Sequence, residues 1–390
     1  MSISGKSSFP SVDRQMRSPE IIVKFFRITF LHVLLGLFAF PLSSFSQSVK
    51  VSNWGRTRDR EKVKLYELSN KTGMKVAVMN YGATLVSVET PDRSGTLENI
   101  TLHLESFDDY ERGHPLFGSI VGRYASRIAD GGFTIDKKRF DLETVGRSGV
   151  HMHGGKKGLQ KMVWKVDEVS EDIAAAVTFS HISPDGHEGY PGRLSVWVTY
   201  RLSDDNTLSI EYKATTTKPT HLNLTNHVYW NLNGAGNGDI LDHQLTLKSK
   251  EILDFDDRRI PTGKFKSVVK SPFDFRKPKA IGSRIEKVDG GYDHCYVLSR
   301  ENREGDPILF ARLESPASGR VMEVLTTEPS VQLYTANYLR DGRPYGPQHG
   351  VCLEAQHFPD SPNNPSFPST LLRPDETYRQ VTVYRFSIEK

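Results

Sequence analysis

Cysteine is almost absent from this chain: Cys295 and Cys352 are the only two in 390 residues. So few exclude a disulfide framework, and free buried thiols are the expectation. Nucleotide-binding signatures are missing too. No Rossmann glycines, Walker lysine or nucleophile elbow occurs, and neither Gly122 nor Gly131-Gly132 sits in a phosphate-binding loop. No window of about a dozen residues combines helical periodicity with caps, which argues against a helical domain. Net charge is small. The first 46 residues carry Lys6, Arg14, Arg17, Lys24 and Arg27 against Asp13 and Glu20. Their net charge of +3, taken from +4 for the whole chain, leaves a body near +1. A body so close to neutral offers nothing to nucleic acid or an anionic membrane, and implies a neutral small-molecule partner.

Long apolar runs are also scarce, and the one present is short. Lys24 and Arg27 precede Ile28 to Leu42, followed by Ser44 and Ser46. The run is about 15 residues, against roughly 20 for a spanning helix. A basic segment, a short apolar run and a small-residue exit predict a signal peptide over residues 1–46. An uncleaved N-terminal anchor is the alternative. The expected location is periplasmic or secreted, without stable membrane contact after cleavage.

What remains reads as strands. Leu194, Val196, Val198, Tyr200 and Leu202 alternate with polar residues. After the turn Ser203–Asn206 the alternation resumes at Leu208, Ile210, Tyr212 and Ala214. Such period-2 runs joined by Asp/Asn turns predict hairpins. Similar runs occur at 75–88, 133–142, 174–181, 243–247, 321–325 and 380–388. No linker or composition shift divides residues 47–390, so the expected fold is all-β, a single large sandwich of antiparallel sheets.

Five stretches could carry chemistry. In Thr220-His-Leu-Asn-Leu-Thr-Asn-His-Val-Tyr-Trp-Asn-Leu232, strand alternation puts Asn223, Thr225, His227 and Tyr229 on one side. Asn, His, Tyr and Trp suit sugar hydroxyls and C–H faces better than they suit a solvated face, and His exchanges protons near neutral pH. In Gly350-Val-Cys-Leu-Glu-Ala-Gln-His-Phe-Pro359, Glu354 interrupts an apolar strand, where a carboxylate is costly unless paired or functional. Either a structural ion pair or a general base accounts for it. Asp293, in Gly290-Gly-Tyr-Asp-His-Cys-Tyr296, reads first as a turn residue. His151 and His153 precede Gly154-Gly155, but a zinc site needs more ligands than this pair, and no metal is expected. Gly122-Arg-Tyr-Ala-Ser-Arg-Ile128 carries two arginines that by themselves suggest surface or salt-bridge positions.

Together these stretches resemble the aldose 1-epimerase (galactose mutarotase) family. The resemblance rests on Asn80-Tyr-Gly-Ala83, Gly122–Ile128, His153-Gly-Gly155, Ser183-Pro-Asp-Gly186 with Glu188-Gly-Tyr-Pro-Gly192, Leu224-Thr-Asn-His227, Tyr292-Asp-His294 and Cys352-Leu-Glu354, in the family's order. It implies a large β-sandwich that interconverts the anomers of free aldoses without metal or organic cofactor; a monomer or weak dimer is expected, though the sequence leaves the oligomeric state open. By the same resemblance Glu354 is the catalytic base and His227 the acid. His153 binds near the ring oxygen, and Arg127 and Asp293 hold hydroxyls. Gln332, in Ser330-Val-Gln-Leu-Tyr334, resembles a residue lining the family's cleft. Ser126 stands where the family often has Asn, and Trp230 where Phe is common. Lys156 and Lys157 raise the variant of a phosphorylated sugar. A glycoside hydrolase using Asp293 and Glu354, or a non-catalytic sugar-binding module that keeps Trp230, Tyr229 and Arg127, are the competing classes.

Overall fold

The computed structural model describes residues 46–389 apart from 145–147, 299–304 and 341–343; the predicted signal peptide lies outside them up to residue 45. The backbone of the fold is a nine-stranded sheet. Its order is Lys165–Ser170, Ala175–Ser183, Leu194–Leu202, Thr207–Thr216, Tyr378–Ile388, Arg320–Thr326, Ile308–Glu314, Gln244–Leu247 and Lys279–Ala280. The hairpin read from the alternation at 194–214 is in register, Leu194 opposite Thr216 and Leu202 opposite Leu208. Its inward side chains Val196, Val198, Tyr200 and Ile210 are fully buried.

Two five-stranded sheets share the core of this large sheet. One runs Ser48–Arg56, Lys62–Ser69, Lys75–Met79, Thr84–Pro91, Leu97–Asn99. The other runs Pro261–Ser267, Glu251–Phe255, Asp293–Val297, Ser330–Tyr334, Cys352–Gln356. Leu68 and Val76 from the first, with Val331, Leu333 and Leu353 from the second, join Val196 and Tyr384 in one continuous cluster. The second layer of the sandwich is therefore split. The run at 75–88 breaks at Asn80–Ala83, where Ala83 (φ 45°) and Gly82 (φ 65°) turn the chain. Among the described residues the single α-helix is Phe107–Arg112, capped by Ser106.

The segment 220–232 has little ladder of its own, two short paired pieces at Thr220–His221 and Thr225–Asn226. It nevertheless keeps the predicted alternation. Leu222, Leu224 and Val228 enter the core, while Asn223 and Thr225 bond to the chain beside them. Trp230 belongs to the core side. It is fully buried against Tyr384 and Phe386, so its place is packing, and the sugar-contact role weighed for it has no support.

Candidate active site

The floor of the site follows from strand register. On three adjacent strands Cys295, Gln332 and Glu354 stand side by side, and Asp293, Tyr334 and Cys352 form the next row. Side chains two apart share a face. The intervening Val331, Leu333 and Leu353 point to the core, so the opposite face gathers the polar groups.

His227 arrives from the 220–232 segment, which is pinned along Cys352–Gln356 by side chains. Thr225 Oγ1 donates to the Ala355 carbonyl at 2.9 Å, and the His357 amide donates to Asn223 Oδ1 at 2.9 Å. Backbone bonds between Trp230 and Val351, both 2.9 Å, close the other end. This brings His227 Nε2 to 3.6 Å from Glu354 Oε2. The gap exceeds a hydrogen bond but lets one substrate's oxygens meet both groups. The imidazole stacks on Tyr229 with centroids 5.0 Å apart, and its Nδ1 lies 3.7 Å from Cys352 Sγ.

The other wall is a left-handed turn. His153 (φ 50°) and Ser126 (φ 63°) are locked together, His153 N donating to the Ser126 carbonyl at 2.9 Å and Ser126 N donating to His153 Nδ1 at 3.2 Å. An accepting Nδ1 leaves the proton of a neutral imidazole on Nε2, a donor. Gly154 (φ 77°) is required at the next position, since a Cβ there would lie 1.9 Å from the Gly122 carbonyl. Glu188, from the Pro/Gly-rich loop, accepts from the Lys156 and Lys157 amides, both at 3.0 Å, and holds the rest of the turn. His151 points elsewhere, to the Glu143 carbonyl and the Tyr190 hydroxyl. The two histidines are thus not a ligand pair.

All seven predicted residues line one cleft of about 270 Å³: Glu354, His227, Arg127, His153, Asp293, Ser126 and Gln332. The two arginines of the 122–128 stretch part company. Arg127 reaches the cleft. Arg123 is neither surface nor salt-bridged but buried, donating to the carbonyls of Ser183, Pro184 and Pro191 and to Ser183 Oγ. Asp293 is no longer a turn residue: Arg259 Nη1 donates to one carboxylate oxygen at 2.9 Å and Gln332 Nε2 to the other at 2.6 Å. With both oxygens occupied it is an anchor, which disfavours the hydrolase scheme that makes it a proton carrier. A neighbouring cavity of about 350 Å³, lined by Phe117, Tyr345, Leu339 and His114 among others, has no carboxylate among the described residues.

Groups that the sequence reading did not single out include Arg259, which stands behind Asp293, and Gln356 and Tyr334, which line the cleft. Arg259 follows Asp256-Asp-Arg and reads as a solvated charge. Gln356 and Tyr334 were within reach, because each lies two residues beyond a predicted one on the same face. Gln356 is fully buried, and neither of its amide atoms has a partner among the described residues.

Electrostatics follow from burial. Glu354 is 3% exposed, and desolvation, reinforced by Asp293 and opposed by Arg127, pushes its carboxyl up to about 8. The same desolvation, opposed by Asp293, lowers His227 to about 4. His153 is driven well below its usual range by burial and then by His227. At neutral pH the pair therefore holds one proton, resting on the carboxyl. His227, Cys352 and Glu354 bring potential ligand atoms within 4.8 Å of one another. The imidazole turns one nitrogen to each of the other two, and burial keeps the Cys352 thiol protonated, so the trio suits proton exchange better than ligation.

Comparison with known proteins identifies the family. The family model described as aldose 1-epimerase matches residues 64–385. Galactose mutarotase of Rattus norvegicus is 40% identical over 322 residues, 81% of this chain and 92% of that protein. Aldose 1-epimerase of Escherichia coli (strain K12) is 38% identical over 347 residues, 85% of this chain and 97% of that protein. The crystal structure of galactose 1-epimerase from Lactobacillus acidophilus NCFM aligns with a TM-score of 0.78 at 28% identity, covering 88% of this chain and 100% of that one. With the family model spanning residues 64–385 and relatives 38–40% identical covering most of the chain, the chain belongs to the aldose 1-epimerase family.

Proposed function

We propose that this isomerase interconverts the α and β anomers of free aldohexoses, glucose and galactose among them, with Glu354 and His227 trading one proton across the sugar. The carrying observation is the pair itself: a buried carboxyl and a buried imidazole 3.6 Å apart, their combined charge set by a single proton. In the working arrangement Glu354 takes the proton of the anomeric hydroxyl while His227 Nε2 protonates the ring oxygen. The C1–O5 bond breaks and C1 becomes an aldehyde. Rotation about C1–C2 presents its other face, and closure returns both protons to their donors. The resting and working arrangements differ by one proton moved from carboxyl to imidazole, which sugar hydroxyls promote by solvating the carboxylate. No covalent intermediate is required.

Lys156 bears on the substrate. Its ammonium is already paired with Glu143, and its amide is tied to Glu188, which supports a neutral sugar over a phosphorylated one. Polarimetry of freshly dissolved α-glucose and α-galactose is the direct test. Equilibration no faster than in buffer, with cleavage of a glycoside, would replace mutarotation by hydrolysis.

The proton count sets the pH dependence. Below about 4 both groups are protonated and no base remains; above about 8 neither carries the exchangeable proton. A bell-shaped kcat/KM bounded near those values is expected from initial rates in polarimetry, and a flat profile through pH 8 to 10 would contradict it.

Asp293→Ala removes the anchor and frees both Arg259 and Gln332. KM is expected to rise about tenfold or more, with a smaller loss in kcat, because charged hydrogen bonds to hydroxyls are lost while the pair stays in place. Steady-state kinetics on both sugars checks the split.

A further inference from the structure

Beside the catalytic pair the mechanism leaves a buried thiol unused, that of Cys352. It is fully buried, does not line the cleft, and sits two residues before Glu354 on the same strand face. Its sulfur is 3.7 Å from His227 Nδ1, on the opposite edge of the ring from Nε2 and Glu354.

That placement matters because of which nitrogen must work. Nε2 faces the carboxyl and the cleft, so it must give up its proton and take it back. Nδ1 must then keep its own proton throughout, or the neutral ring would carry hydrogen on the wrong nitrogen and could not recover the one it delivered. Histidine in water favours the opposite neutral tautomer, so the site has to impose this one. Among the described residues two acceptors are available on that edge. One is the residue's own carbonyl, which only Nδ1 can reach and which already accepts the Gly118 amide at 3.0 Å. The other is Cys352 Sγ. The remaining neighbours of the ring, Tyr229, Tyr334 and His153, meet it through ring contacts.

We infer that Cys352 is a positioning residue whose sulfur accepts from Nδ1–H of His227 and so holds Nε2 as the nitrogen that exchanges protons with the sugar. The inference rests on the role given to His227 above. Its chemistry is a hydrogen bond with no redox change and no bond to sulfur.

The test reads the tautomer directly. In sugar-free protein labelled with 15N-histidine, His227 between pH 6 and 7 is expected to show a protonated Nδ1 and an unprotonated Nε2. Cys352→Ala should shift the ring toward protonated Nε2 and lower kcat roughly tenfold, with KM within about twofold, since the thiol does not touch sugar. Cys352→Ser, which restores an acceptor, should recover most of both. A wild-type ring protonated on Nε2, or a tautomer and kcat unchanged in Cys352→Ala, overturns the proposal. Should the alanine variant fail to fold, the wild-type spectrum and the serine variant still decide. Because the spectra need no turnover, failure of this assignment is visible with anomer exchange intact, and failure of the exchange itself shows in wild-type polarimetry.

Discussion

Glu354→Gln is expected to lower kcat by about three orders of magnitude while sugar binding stays measurable. The substitution keeps shape and hydrogen-bonding capacity, and removes only the ability to take and return a proton. Binding survives because Arg127, His153 and the Arg259–Asp293–Gln332 anchor are untouched. Titration calorimetry with galactose reads binding, and polarimetry reads turnover. Retained turnover would remove Glu354 from the proton path. The variant should fold at least as well as the wild type. A carboxyl raised from 4.5 to about 8 favours the fold fully below pH 4.5, and this advantage is lost as pH rises toward 8. The amide has no such titration, so thermal melts of the two proteins should separate between pH 5 and 9, with the wild type declining more steeply.

His227→Ala is expected to cost about a hundredfold to a thousandfold in kcat, because the group that protonates the ring oxygen is gone and water is a poor substitute in a buried cleft. The fold tolerates the change. The segment is held by backbone bonds of residue 227 to Ser119 and Gly118, both 3.0 Å, and by Thr225, none of which involves the imidazole. The limb near 4 should vanish with the side chain, and the titration of Glu354 near 8 should now raise the residual activity with pH, because the carboxylate is the base and no imidazole is left to take its proton. Partial recovery on adding imidazole would fit the same account. A near-wild-type rate would take His227 out of the acid role.

Much of the site was legible before any coordinates. Strand alternation separates His227 from Leu224 and Val228, and it marks Glu354 as a carboxylate in an apolar strand. The order of motifs along the chain turned those hints into a pair. Arg259 was not legible, since an arginine after two aspartates looks like solvated charge until the fold brings it to Asp293. Nor was the burial of Arg123, whose partners lie 60 and more residues away. Trp230 misled for a related reason: an aromatic beside Tyr229 in sequence faces the other way, into the core.

The sequence by itself determined the class of fold, through the two-residue period of its apolar side chains, and the identity of the polar groups that gather in the cleft. These are local properties, carried by spacing and residue type. Only the tertiary structure decided how those groups behave. Register across three strands sets Gln332 beside Glu354 and Asp293 in the row of Cys352. Side-chain bonds from Asn223 and Thr225 then bring His227 against that row. Burial leaves one proton on the pair, and the same packing sets Cys352 Sγ against Nδ1, the nitrogen turned away from Glu354. Desolvation and cross-strand neighbours come from residues distant in the chain, so no reading of spacing could supply them.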